Sequence, residues 1–146
     1  MSKLIQVLLV EDSLADATLI QEVFDEEKIA VNMEVVRDGY EAMDYLMVRG
    51  AHVDAVRPDV IILDLNMPKK DGRQLLHEIK GIPTLKNIPV VILSTSQADE
   101  DVAFSYNANA NCYVVKPLDL DQLTKTVKSI DQFWFTAVQF PKTDEK

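Results

Sequence analysis

The stretch Val60-Ile61-Ile62-Leu63-Asp64 decides the fold of this chain, because it reads as a buried strand that ends on a carboxylate. A strand whose successive side chains are all apolar is buried on both faces, as in a parallel sheet covered by helices. Short apolar runs rich in Val, Ile or Leu recur along the chain, at Ile5–Val10, Val31–Val36, 60–65, 89–93 and 113–115. The pattern predicts five strands of one parallel sheet.

Helical patterns lie between these runs. Ser13 can cap a first helix that ends near Lys28, and a second helix at residues 40–48 is expected to stop at Gly50. Further helices are expected at residues 71–80 and 99–108, and the last runs from Asp119 into the aromatic segment 133–135. Alternating strands and helices joined by right-handed crossovers predict an α/β fold, a doubly wound three-layer sandwich.

Composition and charge limit the classes of function. The chain has 146 residues, which suits one domain, and its net charge of −9 would repel a phosphate backbone, so nucleic-acid binding is not expected. No apolar run has the length of a membrane span, so no membrane association is expected. The single cysteine, Cys112, cannot form an internal disulfide, which favours a reducing, cytoplasmic location.

Polar residues follow four of the predicted strands, at the edge of an open parallel sheet where working sites lie. They are Glu11, Asp12, Asp64, Ser94 and Lys116. An acidic pair at a strand end is also typical of a helix-start charge cluster. Three carboxylates at one edge, however, repel one another unless a cation compensates, and Mg²⁺ suits carboxylate and water ligands. The residues therefore predict a magnesium site.

Asp64 is the candidate nucleophile. Burying an unpaired charge at the end of a strand is costly, and a carboxylate can form an aspartyl-phosphate. The backbone carbonyl of Asn66 could complete the metal shell, and the Lys116 ammonium suits a phosphoryl oxygen. The hydroxyl of Ser94 can bond the phosphoryl group, although the next two residues also carry hydroxyls and compete for that role.

Together these motifs resemble the receiver domain of two-component response regulators. They are VLLVED at 7–12, DVIILDLNMP at 59–68, DG at 71–72, PVVILS at 89–94 and YVVKP at 113–117. They follow family order and spacing across about residues 3–132. The resemblance implies a flavodoxin-like sheet of order 2-1-3-4-5 in a single receiver domain at residues 1–146, with 133–146 as a helix extension and tail.

The resemblance also implies roles for the site residues. Asp64 would accept a phosphoryl group from a sensor histidine kinase. Glu11, Asp12 and Asp64 would hold Mg²⁺, with the backbone of Asn66 as a further ligand. Lys116 would bind the phosphoryl group, and Ser94 and Tyr113 would form a switch pair that repositions on phosphorylation.

A narrower likeness concerns possible partners. KKDG at 69–72, KNIP at 86–89 and the late aromatic segment ending at Phe140-Pro141 look like the small regulators paired with cyanobacterial and bacterial phytochromes. Regulators of that group are stand-alone receivers that dimerise. The resemblance implies a phytochrome-type kinase partner. We also expect a homodimer through the helix at 99–108, the fifth strand, the last helix and the C-terminal aromatics.

Two alternatives remain open at this point. An aspartate-nucleophile phosphatase also carries an aspartate after a buried strand, but it typically has a second aspartate two residues later, where this chain has Asn66. A pseudo-receiver would bind partners and never take phosphate, against which the intact set of site residues argues. No enzymatic or DNA-binding module is recognised after Lys116, so a signalling protein and not an enzyme is expected.

Overall fold

A five-stranded parallel sheet forms the centre of the protein. The computed structural model describes residues 4–65, 72–94, 112–115 and 120–131. The strands are β1 (Ile5–Val10), β2 (Val31–Val36), β3 (Val60–Leu63), β4 (Val90–Ser94) and β5 (Cys112–Val115). Their order in the sheet is β2-β1-β3-β4-β5, and every neighbouring pair is parallel. The predicted sheet order is confirmed.

Four α-helices are described around the sheet. They are α1 (Leu14–Glu26), α2 (Gly39–Leu46), α3 (Gly72–Gly81) and α4 (Leu120–Ile130), and a 3₁₀ turn at Gly50–His52 follows α2. The helix expected at 99–108 and the aromatic segment 133–135 lie outside the described residues.

The core has two halves, one on each face of the sheet. Side chains of α2 and α3 pack on one face, and side chains of α1 and α4 pack on the other. β3 serves both halves, since Ile61 and Leu63 belong to the first cluster and Val60 and Ile62 to the second. All four are at most 1% exposed, and burying each contributes about 1.5–3 kcal/mol. This arrangement confirms the three-layer sandwich.

β2 departs from the expected all-buried pattern because it lies at an edge of the sheet. Val31, Met33 and Val35 are half-buried towards the α1 face, whereas Asn32 and Glu34 between them are exposed. The alternation follows from the pleat, which sends successive side chains to opposite faces. On the opposite face, only Val36 of β2 is buried, as part of the cluster that includes side chains of α2 and α3.

The end of α2 also differs from the expectation. The helix stops at Leu46, and Val48 takes the left-handed backbone conformation with φ of 55°. The amide of Arg49 donates to the carbonyl of Asp44 at 2.9 Å and closes the turn. The prediction that Gly50 stops the helix is wrong, because Gly50, with φ of 62°, begins the 3₁₀ turn instead. A β-branched residue at positive φ is strained, and nothing in the sequence signals it.

At the amino end of the sheet, two charged side chains form hydrogen bonds with backbone groups. The carboxylate of Asp59, just before β3, accepts from the amide of Gln6 at 2.9 Å, and the Asp59 amide donates to the Gln6 carbonyl at 2.7 Å. The ammonium of Lys80, at the end of α3, donates to the carbonyls of Lys86 and Ile88 at 3.0 and 2.9 Å. Burial lowers the pKa of Lys80 below its usual value. These contacts fix the loops that enter β3 and β4.

No helix in the described ranges is both long enough and apolar enough to cross a membrane.

Candidate functional site

Three carboxylates meet at the carboxyl end of the sheet. Oxygen atoms of Glu11, Asp12 and Asp64 all lie within 4.8 Å of one another. Glu11 and Asp12 follow β1, and Asp64 follows β3. The two strands are neighbours with Val10 paired to Leu63, so the residues after them come together without any long-range bend of the chain. The predicted convergence of the three acids is confirmed.

The two carboxylates nearest the core are almost completely buried. Glu11 is 1% exposed and Asp64 is 6% exposed, whereas Asp12 is half-buried. Strand pairing continues into these residues, because the amide of Asp64 donates to Val10 at 3.1 Å and that of Glu11 donates to Val36 at 3.0 Å. The backbone under the cluster is therefore as firmly held as the sheet itself.

The start of α1 lies against the same cluster. The carboxylate of Glu11 accepts from the amide of Ser13 at 3.2 Å, and the hydroxyl of Ser13 accepts from the amide of Asp16 at 3.2 Å. Ser13 thus caps α1, as predicted. The positive end of the helix dipole faces the acids and offsets part of their repulsion.

This donor set suits a hard divalent cation. Oxygen ligands from one or two carboxylates, completed by water and phosphate oxygens, are typical of Mg²⁺ sites, and Mn²⁺ prefers the same kinds of ligand. Gathering three like charges, two of them away from water, is costly without such a cation. The residues present therefore fit a metal ion at Glu11, Asp12 and Asp64.

The other predicted site residues are placed only in part. Asn66 and Lys116 lie outside the described residues. Ser94 is the last residue of β4, two positions beyond Ile92, which pairs with Leu63 in β3. Tyr113 lies in β5 and pairs with Ile92. The backbone of Ser94 is thus on β4, the strand beside β3, and that of Tyr113 is on β5, one strand further out. Their switch role stays a prediction.

Gly72 also lies at the site, although the sequence marks it only as part of the DG motif. Gly72, the first residue of α3, packs directly on the peptide that follows Asp64, and its amide donates to the carbonyl of Leu65 at 3.1 Å. The DG pair at residues 71–72 was the available signal, but the sequence does not say what the glycine touches.

The fold and the acidic site agree with a family model. The model for "Response regulator receiver domain" matches residues 7–128, a span that contains most of β1, all of β2 to β5 and the three acids. The chain belongs to this family of receiver domains, which confirms the resemblance predicted from its motifs.

Within the receiver-domain family, the chain is similar to particular response regulators. Response regulator Rcp1 of Synechocystis sp. is 47% identical over 135 residues, which cover 92% of each chain. The crystal structure of the phosphorylated cyanobacterial phytochrome response regulator RcpA superposes with a TM-score of 0.90 at 48% identity, covering 96% of this chain and 100% of that one. The Mn²⁺-bound form of Rcp1 gives 0.87 at 47% identity, covering 94% and 99%. The chain is thus similar to phytochrome response regulators over nearly its whole length.

Proposed function

We propose that this protein is a response regulator that accepts a phosphoryl group on Asp64 from a histidine kinase. The observation that carries the proposal is the gathering of Glu11, Asp12 and Asp64 within 4.8 Å at the carboxyl end of the sheet. Among the three, Asp64 alone follows the central strand β3. Its backbone is held by strand pairing, which presents the carboxylate as a fixed nucleophile.

The acids around Asp64 would hold Mg²⁺, with the backbone carbonyl of Asn66 as a further ligand. When bound, the ion supplies positive charge that stabilises both the nucleophile and the incoming phosphoryl oxygens. The Mn²⁺-bound structure of the relative Rcp1 supports a divalent ion in a protein of this kind. Glu11 and Asp12 would be the other carboxylate ligands of that ion, beside Asp64.

The proposed roles of the remaining site residues follow from their places at or near the carboxyl ends of β4 and β5. Lys116 would bind a phosphoryl oxygen as a point charge. Ser94 would bond the phosphoryl group in the active state, and Tyr113 would change position with it. Phosphorylation would then shift an equilibrium between inactive and active forms, because the phosphoryl group favours the form in which these contacts exist.

Acetyl phosphate labelling tests the acceptor. The wild type with Mg²⁺ should incorporate one phosphoryl group, and Asp64→Ala should incorporate none. Asp59→Asn is the matched control, because Asp59 flanks the same strand at its other end and should leave labelling intact. Unchanged labelling in Asp64→Ala would reject Asp64 as the acceptor. Sustained hydrolysis of phosphomonoesters would favour the phosphatase alternative.

The kinase partner is proposed to be a phytochrome-type sensor. The support is the 47–48% identity to Rcp1 and to the phytochrome response regulator RcpA, at nearly full coverage. A purified phytochrome histidine kinase should transfer its phosphoryl group to this chain faster than an unrelated histidine kinase does. Equal rates from both kinases would contradict the pairing.

We further propose one receiver domain over residues 1–146, with a core at about 3–132, located in the cytoplasm and acting as a homodimer. The dimer surface would include β5 and the last helix. β5 is an edge strand of the sheet, and Leu120 at the start of α4 is 51% exposed. Small-angle scattering should give a dimer mass, and a monomer mass with and without phosphorylation would remove the dimer.

A further inference from the structure

Gly72 makes an unusually close contact with the phosphoacceptor segment. A Cβ atom placed on Gly72 would lie 2.5 Å from the carbonyl oxygen of Asp64 and 2.6 Å from the Cα of Leu65. Real Cβ atoms essentially never approach other atoms below 3.0 Å. Both neighbours are backbone atoms, so no side-chain rotation can relieve the overlap.

The requirement for glycine is steric and does not come from backbone conformation. Among the glycines of the described ranges, Gly50 has a positive φ, and Gly72 does not. Gly72 is buried and helical, a conformation that any residue can adopt. Only the absence of a side chain allows α3 to start this close to the end of β3.

The contact bears directly on the acidic site. The backbone of Asp64 is held on both sides of its Cα. Its amide donates a hydrogen bond to the carbonyl of Val10 in β1, and its carbonyl lies against Gly72. The amide of Gly72 also bonds the carbonyl of Leu65, so the chain leaves β3 and returns to the same point at α3. Asn66, whose carbonyl is the proposed further metal ligand, is the next residue along.

We propose that Gly72 is a positioning residue for the metal and phosphoacceptor site, which works by letting the start of α3 clamp the Asp64–Leu65 backbone. The inference rests on the metal-dependent acceptor function proposed above. An alanine at this position must push the Asp64 carbonyl or the start of α3 away by about half an ångström to reach 3.0 Å. Displacing groups that orient metal ligands typically weakens metal binding about 10- to 100-fold.

Gly72→Ala and Gly81→Ala make a matched pair for the test. Both glycines belong to α3, but a Cβ on Gly81 would meet no atom within 4 Å. Mn²⁺ affinity is measured from the electron paramagnetic resonance signal of free Mn²⁺, and folding is checked by urea unfolding. Gly72→Ala should raise the Mn²⁺ dissociation constant about 10- to 100-fold, and Gly81→Ala should leave it unchanged.

The outcomes separate this inference from the proposed function. A wild type that binds no Mn²⁺ would overturn the function itself. A wild type that binds Mn²⁺ and a folded Gly72→Ala variant of equal affinity would overturn only the positioning role, even if that variant unfolds more easily. A lower rate of acetyl phosphate labelling in Gly72→Ala at saturating metal would support the positioning of the phosphoacceptor as well as of the metal.

A second measurement covers the case in which Gly72→Ala does not fold. In the wild type, the amide resonance of Gly72 should shift when Mg²⁺ is added, because its hydrogen-bond partner Leu65 lies beside the metal ligands. The Gly81 amide is the internal control and should not shift. An unmoved Gly72 resonance alongside a shifted Asp64 resonance would contradict the proposal.

Discussion

The two ends of β3 carry the same residue type in opposite circumstances. At the amino end, Asp59 is half-buried and its carboxylate accepts the amide of Gln6 at 2.9 Å. At the carboxyl end, Asp64 is 6% exposed and lies within 4.8 Å of Glu11 and Asp12. The Asp59 carboxylate stabilises the pairing of β1 with β3 at their amino ends, whereas the Asp64 carboxylate lies beside two other negative charges.

The difference separates structural from functional charge. The Asp59 carboxylate accepts a backbone hydrogen bond that joins two strands, so its contribution to folding needs no ligand. Carboxylates that crowd together reduce stability until a cation arrives, so a fold that keeps them is expected to use that cation. The lysine at the amino end follows the first rule as well, because Lys80 donates to the carbonyls of Lys86 and Ile88.

Metal binding should give the largest contrast between the two ends. Mg²⁺ at 100 times its dissociation constant should raise the free energy of unfolding by about 2.7 kcal/mol. Asp64→Asn should lose most of this gain because a ligand is removed, and Asp59→Asn should keep it. Urea unfolding with Mg²⁺ or with a chelator measures both. An equal gain in the two variants would remove the distinction between the ends.

Removing the Lys80 ammonium tests the amino end by itself. Lys80→Met should lower the free energy of unfolding by about 2 kcal/mol, because two carbonyls lose a charged donor. Lys86→Met is the control, since the side chain of Lys86 is exposed, and it should stay within about 0.5 kcal/mol of the wild type. Labelling by acetyl phosphate should be unaffected in both, and its loss in Lys80→Met would mean that the ends are coupled.

Neutralising one acid at each end should have effects of opposite sign. Without metal, Asp12→Asn should raise the free energy of unfolding by about 1 kcal/mol, since one repelling charge leaves the cluster. Asp59→Asn should lower it by up to about 1 kcal/mol, because a charged acceptor becomes a neutral one. Thermal or urea unfolding in chelator gives both values, and a loss in Asp12→Asn would refute the repulsion argument.

The smallest expected effect is a pH dependence from Lys80. Since burial lowers its pKa in the folded protein, the unfolded chain binds more protons on this residue below the usual lysine pKa of about 10.5. The stability of the wild type relative to Lys80→Met should therefore rise as pH increases through the window just below that value. Burial raises the pKa of Tyr45, which acts in the opposite direction, but it is present in both proteins and cancels in the difference.

Much of the fold could be predicted from local pattern. The apolar runs located β1 and β2 to the residue, and β3 to within two residues at its end. Apolar side chains in a short run report burial on both faces wherever the strand lies inside the sheet. The pattern was less informative for β2, whose exposed Asn32 and Glu34 depend on its place at the edge. The end of α2 was also misplaced, because the strained conformation of Val48 has no sequence signal.

By itself, the sequence determined that three acids and a buried strand would make a receiver-type site, since residues after parallel strands share one edge of the sheet. Only the tertiary structure decided how close the acids come, how deeply Glu11 and Asp64 are buried, and that Gly72 touches the Asp64 peptide. The physical reason is that periodicity reports which face of an element is apolar. The contact between the start of α3 and the end of β3 depends instead on how a helix packs on a strand that ends nine residues earlier in the chain.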